Sequence, residues 1–100
     1  MIVRILRARV RAEHAYEFRE RALAKLLAAR NVEGIIDARL VTQAGPLDHE
    51  FVFISRWPSM DSLYAWAGSK DLLARPVFFA GLEGFLDSFD IQHYVEVEPD

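Results

Sequence analysis

The stretch FVFISRWPSMDSLYAWAGSKDLLARP, residues 51–76, decides the fold of this chain. Its first part, Phe51 to Trp57, is rich in β-branched and aromatic residues, which is typical of a strand. Pro58 ends this strand because proline has no N–H to donate to a sheet ladder. The pattern therefore predicts a strand over residues 51–57 and a change of structure directly after it.

A helix is predicted next. Ser59 is a favourable N-cap, and Asp61 places a negative charge in the first turn, where the helix dipole favours it. The side chains expected to face the sheet recur at helical spacing with one aromatic residue on their flank: Met60, Leu63, Ala67 and Trp66. Gly68 is expected to end this helix, and Ser69 to cap a second short one over residues 70–75.

The residues before this stretch predict a strand, a helix and another strand. Residues 2–11 alternate, which places Arg4 on the face shared by Ile2, Leu6, Ala8 and Val10. Residues 13–30 change to helical spacing, with a buried stripe of Ala15, Phe18, Ala22, Leu26 and Ala29, widened by Leu23 and Leu27. Residues 35–43 alternate again, and the turn at 44–49 predicts an antiparallel hairpin with the next strand.

The C-terminal part predicts a cap and a last strand. Residues 77–87 are apolar but interrupted by Gly81 and Gly84, so a short helix or a turn-rich cap is expected there. Residues 90–97 alternate, with Ile91, His93, Val95 and Val97 on one face.

The element order is therefore β-α-β-β-α-β over a single domain, residues 1–100. This order predicts an α+β, ferredoxin-like fold: a four-stranded antiparallel sheet with both helices on one face. Phe51 and Phe53 alternate with Val52 and Ile54, so the sheet is apolar on both sides. The face without helices needs a partner, which predicts a homodimer.

Composition excludes several classes of protein. The net charge of −3 provides no basic field for nucleic acid. The absence of cysteine fits a reducing, cytoplasmic setting, and no secretory signal pattern opens the chain. No apolar run reaches the ~18 residues that a membrane span needs, so no membrane partner is expected.

The spacing of Trp57, Ser59, Leu63, Trp66 and Ser69 resembles the antibiotic biosynthesis monooxygenase (ABM) superfamily, whose domains have about this length. The resemblance implies that two sheets pack face to face as a dimeric α+β barrel. It also implies that Trp66 lies beside an active site, whereas periodicity alone favours a core tryptophan.

Two branches of this superfamily can be compared residue by residue. The haem-degrading branch has an asparagine at the first-strand position and a histidine ten residues after the tryptophan, where this chain has Leu6 and Pro76. Proline cannot ligate iron, so no haem degradation is expected. The quinol-oxidising branch often carries a histidine around residues 69–71, and this chain has none there.

The remaining candidates for chemistry are His93 and Arg4. His93 lies on an apolar strand face, either as a hydrogen-bonded core residue or as the group that transfers a proton. Arg4 either extends from the strand end into solvent or meets an anionic oxygen of a ligand. His14 and His49 are expected to be solvated, and no metal-ligand spacing is evident. The remaining charges are expected to pair at the sheet–sheet interface: Arg7, Arg9 and Arg39 with Asp37, Glu50 and Glu96.

Three functions stay open from the sequence. The first is an ABM-like monooxygenase that oxidises a small phenol- or quinol-like aromatic with dioxygen and no bound cofactor. In it, His93 and Arg4 would be catalytic, and the substrate pocket would be lined by Trp66, Leu6, Phe18, Leu63, Phe78 and Phe79. The second is a non-catalytic dimeric barrel that binds a small hydrophobic ligand. The third is a haem-binding relative without the haem-degrading residues.

Overall fold

A computed structural model describes residues 1–45, 49–67 and 81–99 of the chain. Two short 3₁₀ turns, Ala12–His14 and Glu83–Phe85, precede the first helix and the last strand. The strands and helices, in chain order, are β1 Ile2–Val10, α1 Ala15–Ala29, β2 Asp37–Thr42, β3 Glu50–Trp57, α2 Met60–Ala67 and β4 Leu86–Val95. The predicted second short helix at 70–75, together with Phe78 and Phe79, lies outside the described residues.

The four strands form one antiparallel sheet in the order β2-β3-β1-β4. The α+β, ferredoxin-like prediction is thereby confirmed. The register sets Leu6 of β1 opposite Phe53 of β3 and Ile91 of β4, and all three side chains are buried. Because residues directly opposite share a face, this row marks the side of the sheet that the helices cover.

Helix α1 covers that side with the predicted stripe. Its buried residues are Phe18, Ala22, Leu26 and Ala29. The Phe18 ring lies 5.0 Å, centroid to centroid, from Phe51 of β3, and burying a side chain of that size is worth about 1.5–3 kcal/mol. The predicted widening by Leu23 and Leu27 is wrong, since these residues are 38% and 60% exposed. The covered strip of α1 is therefore narrow, and its flanks face solvent.

The loop between α1 and β2 depends on Gly34. Its φ of +90° lies in the left-handed region that L-residues with a side chain rarely adopt. A Cβ added at Gly34 would also lie 3.6 Å from the Cβ of Ser62 in α2. The glycine therefore lets this loop turn sharply beside α2 and begin the edge strand.

The last strand corrects the sequence prediction. It begins at Leu86 instead of residue 90, because Leu86 pairs with Val10 across a register shift at the end of β1. The amide of Arg11 also donates to the Phe85 carbonyl at 3.0 Å. Sheet pairing thus begins within residues 77–87, where the glycines and the continuous apolar run had predicted a cap instead of a strand. At the other end the strand stops at Val95, and Val97 is 94% exposed instead of sharing a covered face.

The face of the sheet without helices is apolar in its centre. Val3, Ile5, Val52 and Ile54 lie there half-buried, and Val41 and Tyr94 are exposed beside them. The charges on this face pair differently from the prediction. The guanidinium of Arg56, and not that of Arg39, binds two carboxylates: its Nη1 lies 2.9 Å from Oδ2 of Asp37, and its Nε lies 2.7 Å from Oε1 of Glu96. The Nη2 atom of Arg9 lies 3.4 Å from Oε2 of Glu50. We call this surface the open face.

Candidate functional site

A row of polar side chains crosses the helix-covered face of the sheet. The register places Arg4 of β1 between Ser55 of β3 and His93 of β4. The neighbouring row, through Leu6, Phe53 and Ile91, is entirely apolar. Buried polar groups are costly unless they are satisfied, so the buried Arg4 and Ser55, in a row with the partly buried His93, mark a candidate site.

Arg4 is the most unusual member of this row. Its side chain is 0% exposed, so it does not extend into solvent from the strand end. Burial lowers the pKa of Arg4 to about 10. The guanidinium therefore still carries its charge at neutral pH, but inside an environment that disfavours charge.

His93 lies directly beside it. The Arg4 Nη1 atom is 3.1 Å from Nε2 of His93, within hydrogen-bond distance. The imidazole itself is only partly buried. Burial, and then the positive charge of Arg4, lower the pKa of His93 below its ordinary value. His93 is therefore a neutral ring at neutral pH, and it is the more accessible member of the pair.

Two tryptophans, Trp66 of α2 and Trp57 at the end of β3, add an aromatic stack to the site. The Trp66 ring stacks on Trp57 with centroids 5.1 Å apart and an interplanar angle of 27°. The Arg4 Cζ atom lies 5.9 Å from the centroid of the Trp66 ring, a cation–π distance. Trp57, at the end of β3, donates from Nε1 to the Ser55 hydroxyl at 3.0 Å. The indoles thus connect α2 to the polar row.

The local sequence explains why Trp66 faces the sheet beside Trp57. Pro58 follows the last strand residue, and the Ser62 amide donates to the Ser59 hydroxyl at 3.3 Å, so Ser59 caps α2 as predicted. With the start of the helix set, Leu63 and Trp66 are one turn apart and face the sheet together. Leu63 is 0% exposed against Trp57, while Trp66 is only partly buried.

The remaining predicted pocket residues divide into two groups. Leu6, Phe18 and Leu63 are each 0% exposed, packed in the core beneath the helices. Phe78 and Phe79 lie outside the described residues. A groove of about 570 Å³ beside the α1–β2 loop exposes one side of Trp66 and is lined by Val32, Glu33, Gly34, Ser62, Ala65 and Trp66. Among the described residues of the predicted site, Trp66 and His93 are thus the partly exposed ones, and of these two Trp66 lines the groove.

Sequence reasoning named Arg4, His93 and Trp66 separately but did not bring them together. It also did not assign a role in the site to Ser55 or Trp57. Alternation already placed Ser55 and Trp57 on one face with Phe53, which was the available signal. Only the register of β3 against β1 sets Ser55 next to Arg4.

Two other sequence expectations can be compared with the structure. His14 and His49 are half-buried instead of solvated, and the His14 ring contacts Phe85 edge-on with centroids 5.1 Å apart. Within residues 1–45, 49–67 and 81–99, no three His, Asp or Glu side chains group as metal ligands would. In the same residues, no helix is long and apolar enough to cross a membrane.

The fold and the polar row define a ferredoxin-like domain in which a buried arginine lies beside a stacked pair of tryptophans, one buried and one partly exposed. The sequence model of the antibiotic biosynthesis monooxygenase family matches residues 1–74. The chain belongs to this family, as its resemblance implied. A search of curated proteins found no match.

Solved structures agree with the fold. A Deinococcus radiodurans protein named for the same family is 17% identical, with a TM-score of 0.79 over 100% of this chain and 96% of that one. A Nitrosomonas europaea protein of the same name is 14% identical, with a TM-score of 0.81 over 98% of this chain and 100% of that one. A conserved Bacteroides thetaiotaomicron protein, described as a possible oxidoreductase, is 17% identical, with a TM-score of 0.71 over 93% and 95%. At these low identities, the structural similarity shows the fold and does not identify a substrate.

Proposed function

We propose that the protein is a monooxygenase that oxidises a small phenol- or quinol-like aromatic with dioxygen and without a bound cofactor. The observation that carries the proposal is the buried Arg4, which lies between the His93 imidazole and the Trp66 ring. A fixed positive charge beside an aromatic surface suits an aromatic ring that carries an anionic oxygen. Membership of the monooxygenase family supports the same reaction class.

The proposed reaction balances without an added reductant. A phenol with a free para carbon reacts with one dioxygen to give a quinone and one water. The para C–H bond is lost, one oxygen atom becomes the new carbonyl, and the other leaves as water. The aromatic ring supplies all four electrons, and the phenolate is the form that gives them up.

The residues have separate roles in this proposal. Trp66 offers its partly exposed indole for stacking on the substrate ring. His93, also partly exposed, meets the substrate oxygen, and the enclosed Arg4 supplies positive charge behind it. Leu6, Phe18 and Leu63 form the floor that holds these groups in place. Phe78 and Phe79 stay predicted lining residues.

The open face supports a second part of the proposal, a homodimer formed by sheet-to-sheet packing. Ile5 and Ile54 lie directly opposite each other at its centre, and neither is covered by a helix. Contiguous apolar surface of this kind is a common mark of an interface. A cytoplasmic location, and the absence of nucleic-acid and membrane partners, stay predictions from composition.

Oxygen uptake with 1-naphthol tests the reaction. We expect one dioxygen consumed for each 1,4-naphthoquinone formed, with one atom of ¹⁸O from labelled dioxygen in the quinone. Arg4→Met should reduce the rate at least tenfold, whereas Arg19→Met, an exposed arginine on α1, should not change it.

A different outcome would favour the non-catalytic barrel. The complete burial of Leu6, Phe18 and Leu63 supports the non-catalytic barrel, since a filled core leaves less room for a substrate. If naphthols and hydroquinones raise the melting temperature but no oxygen is consumed with any of them, the monooxygenase proposal fails. Hemin binding without loss of the haem absorption band would indicate the haem-binding alternative.

A further inference from the structure

The contact between Arg4 and His93 determines which nitrogen of the imidazole carries the proton. A guanidinium has only N–H donors and no acceptor. The ring nitrogen 3.1 Å from Arg4 Nη1 must therefore be the acceptor, and that nitrogen is Nε2. A neutral imidazole whose Nε2 accepts has its single proton on Nδ1.

The surroundings hold this arrangement in place. Arg4 and His93 are paired opposite each other in the β1–β4 ladder, so their backbones are fixed by sheet hydrogen bonds. Arg4 is fully enclosed and lies over the Trp66 ring. On the covered face, β1 presents the charged Arg4 to His93, and the next residue of the same row is the uncharged Ser55 of β3. Among the described residues, the charge that acts on the ring is that of Arg4, and it opposes protonation of Nε2.

We infer that His93 acts as a neutral hydrogen-bond donor through Nδ1–H to an anionic oxygen of the ligand, and that Arg4 is the positioning residue that sets this tautomer. The sequence left His93 open as the residue that transfers a proton. The geometry instead points to a donor, since its basic nitrogen is already occupied by Arg4. The ligand class is an aromatic oxyanion such as a phenolate, and this choice of ligand rests on the proposed function.

In this arrangement, a hydrogen bond from His93 stabilises the ionised substrate, and His93 does not remove a proton from it. Nδ1–H of a neutral imidazole gives a charge-assisted hydrogen bond to a phenolate, and Arg4 polarises the ring from the far side. The site then favours the ionised phenol over the neutral one, so the electron-rich anion is bound as such. No proton has to be stored on His93 during the reaction.

The tautomer can be read without any substrate, by long-range ¹H–¹⁵N correlation spectra of the histidine rings in the full chain. We expect His93 to show a protonated Nδ1 and an unprotonated Nε2 at pH 7.5. Arg4→Met should remove this preference, Arg4→Lys should restore it in part because lysine also only donates, and Arg19→Met should leave it unchanged. A wild-type His93 with its proton on Nε2 overturns the inference, whether or not Arg4→Met folds.

The pH dependence gives a second, independent reading. Because the pKa of His93 is lowered in the folded protein, the unfolded chain binds this proton more readily. The stability associated with His93 is therefore fully present above about pH 6.5, the unfolded value, and declines as the pH falls below it. His93→Gln should flatten this decline in chemical denaturation. A His93 that titrates by NMR above its ordinary pKa contradicts the role of Arg4.

The oxyanion is tested with 4-nitrophenol, whose ionised form absorbs visibly. We expect the protein to bind 4-nitrophenolate and to lower the apparent pKa of the bound dye. His93→Leu should weaken binding of the phenolate roughly tenfold or more, as expected for a lost hydrogen bond to a charged group. His93→Gln should recover part of the loss, since its amide can donate from a similar position.

The experiments test the role of His93 and the monooxygenase reaction separately. Binding of neutral 4-nitrophenol alone, or equal binding by His93→Leu, overturns the oxyanion role of His93. If the tautomer and phenolate binding are as expected but 1-naphthol consumes no oxygen, the monooxygenase proposal fails and the inference about His93 stands. If oxygen is consumed but His93 carries its proton on Nε2, the reverse holds.

Discussion

The two faces of the sheet shift the pKa of an arginine in opposite directions. On the helix-covered face, Arg4 lies against the His93 imidazole and the Trp66 indole, and burial lowers its pKa. On the open face, hydrogen bonds from Arg56 to Glu96 and Asp37 raise the pKa of Arg56. The first residue is fully enclosed, while the second has a side chain about one-third exposed.

This difference separates an arginine held by carboxylates from an arginine enclosed beside neutral rings. Arg56 forms two ion pairs with carboxylates of β2 and of the segment after β4, and these pairs hold the strands across the open face. Arg4 stands beside neutral rings in a place where its charge is costly. In the proposed function, a substrate oxyanion would approach this enclosed positive charge on the covered face.

The largest expected effect concerns the two tryptophans of the covered face. Trp57 is 0% exposed, so Trp57→Ala should lower the free energy of unfolding by about 3–5 kcal/mol through cavity formation and loss of the bond to Ser55. Trp66→Ala should cost clearly less, because the Trp66 ring is only partly buried. Urea denaturation of both variants measures the difference, with Trp57→Phe and Trp66→Phe as controls that keep an aromatic ring.

The same variants show whether Trp66 belongs to a site. Trp66→Ala should weaken 4-nitrophenolate binding although it folds, because a stacking surface is lost. Equal stability losses in Trp57→Ala and Trp66→Ala, with no change in ligand binding, would assign Trp66 to the core instead.

A smaller structural effect, but a clear change of mass, is expected on the open face. Ile54→Glu places a charge at the centre of the proposed interface and should convert a dimer into a folded monomer in light scattering at micromolar concentration. Leu27→Glu, on the exposed flank of α1, is the control and should leave the mass unchanged. Phe53→Glu would not be informative, since Phe53 lies 0% exposed on the covered face. A wild-type chain that is monomeric at this concentration would remove the dimer from the proposal.

The smallest effect is expected for the ion pairs of the open face. The hydrogen bond from Arg56 holds the pKa of Glu96 below its ordinary value. Glu96 therefore contributes stability above its unfolded pKa, and this contribution is lost as the pH falls through the folded one. Glu96→Gln should lower the melting temperature slightly at pH 7, and less so in high salt or near pH 3.

Glu98→Gln, an exposed carboxylate two residues further on, is the control for this pair. A loss in Glu96→Gln that does not depend on pH or salt would show that packing, and not charge, ties this segment to Arg56.

Some elements of the fold could be predicted because their signals are local. The proline after Trp57 and the serine before Met60 define the end of β3 and the start of α2 within a few residues. Alternation in β1 placed Arg4 on the covered face correctly. The start of β4 could not be predicted, because Leu86 joins the sheet through pairing with Val10, 76 positions earlier in the chain.

The same limit applies to the candidate site. Arg4 and His93 were both named from the apolar faces of their strands, but they are separated by 89 positions in the sequence. Which residue of β4 lies opposite Arg4 depends on the register of the ladder, and a shift of one residue would turn His93 to the other face. The exposed positions of Leu23 and Leu27 likewise depend on which side of α1 is turned towards the sheet.

The sequence by itself determined the order of the elements, the two faces of each strand and the inward side of α2. These properties follow from periods of 2 and 3.6 residues and from the proline and the capping serine, which act within a few residues. The tertiary structure alone decided that Arg4, Ser55 and His93 form one row, that Trp66 reaches Arg4, and that Arg56 pairs with Asp37 and Glu96. The physical reason is that strand register and helix placement are set by packing between distant residues, and the proton position on His93 follows from that packing.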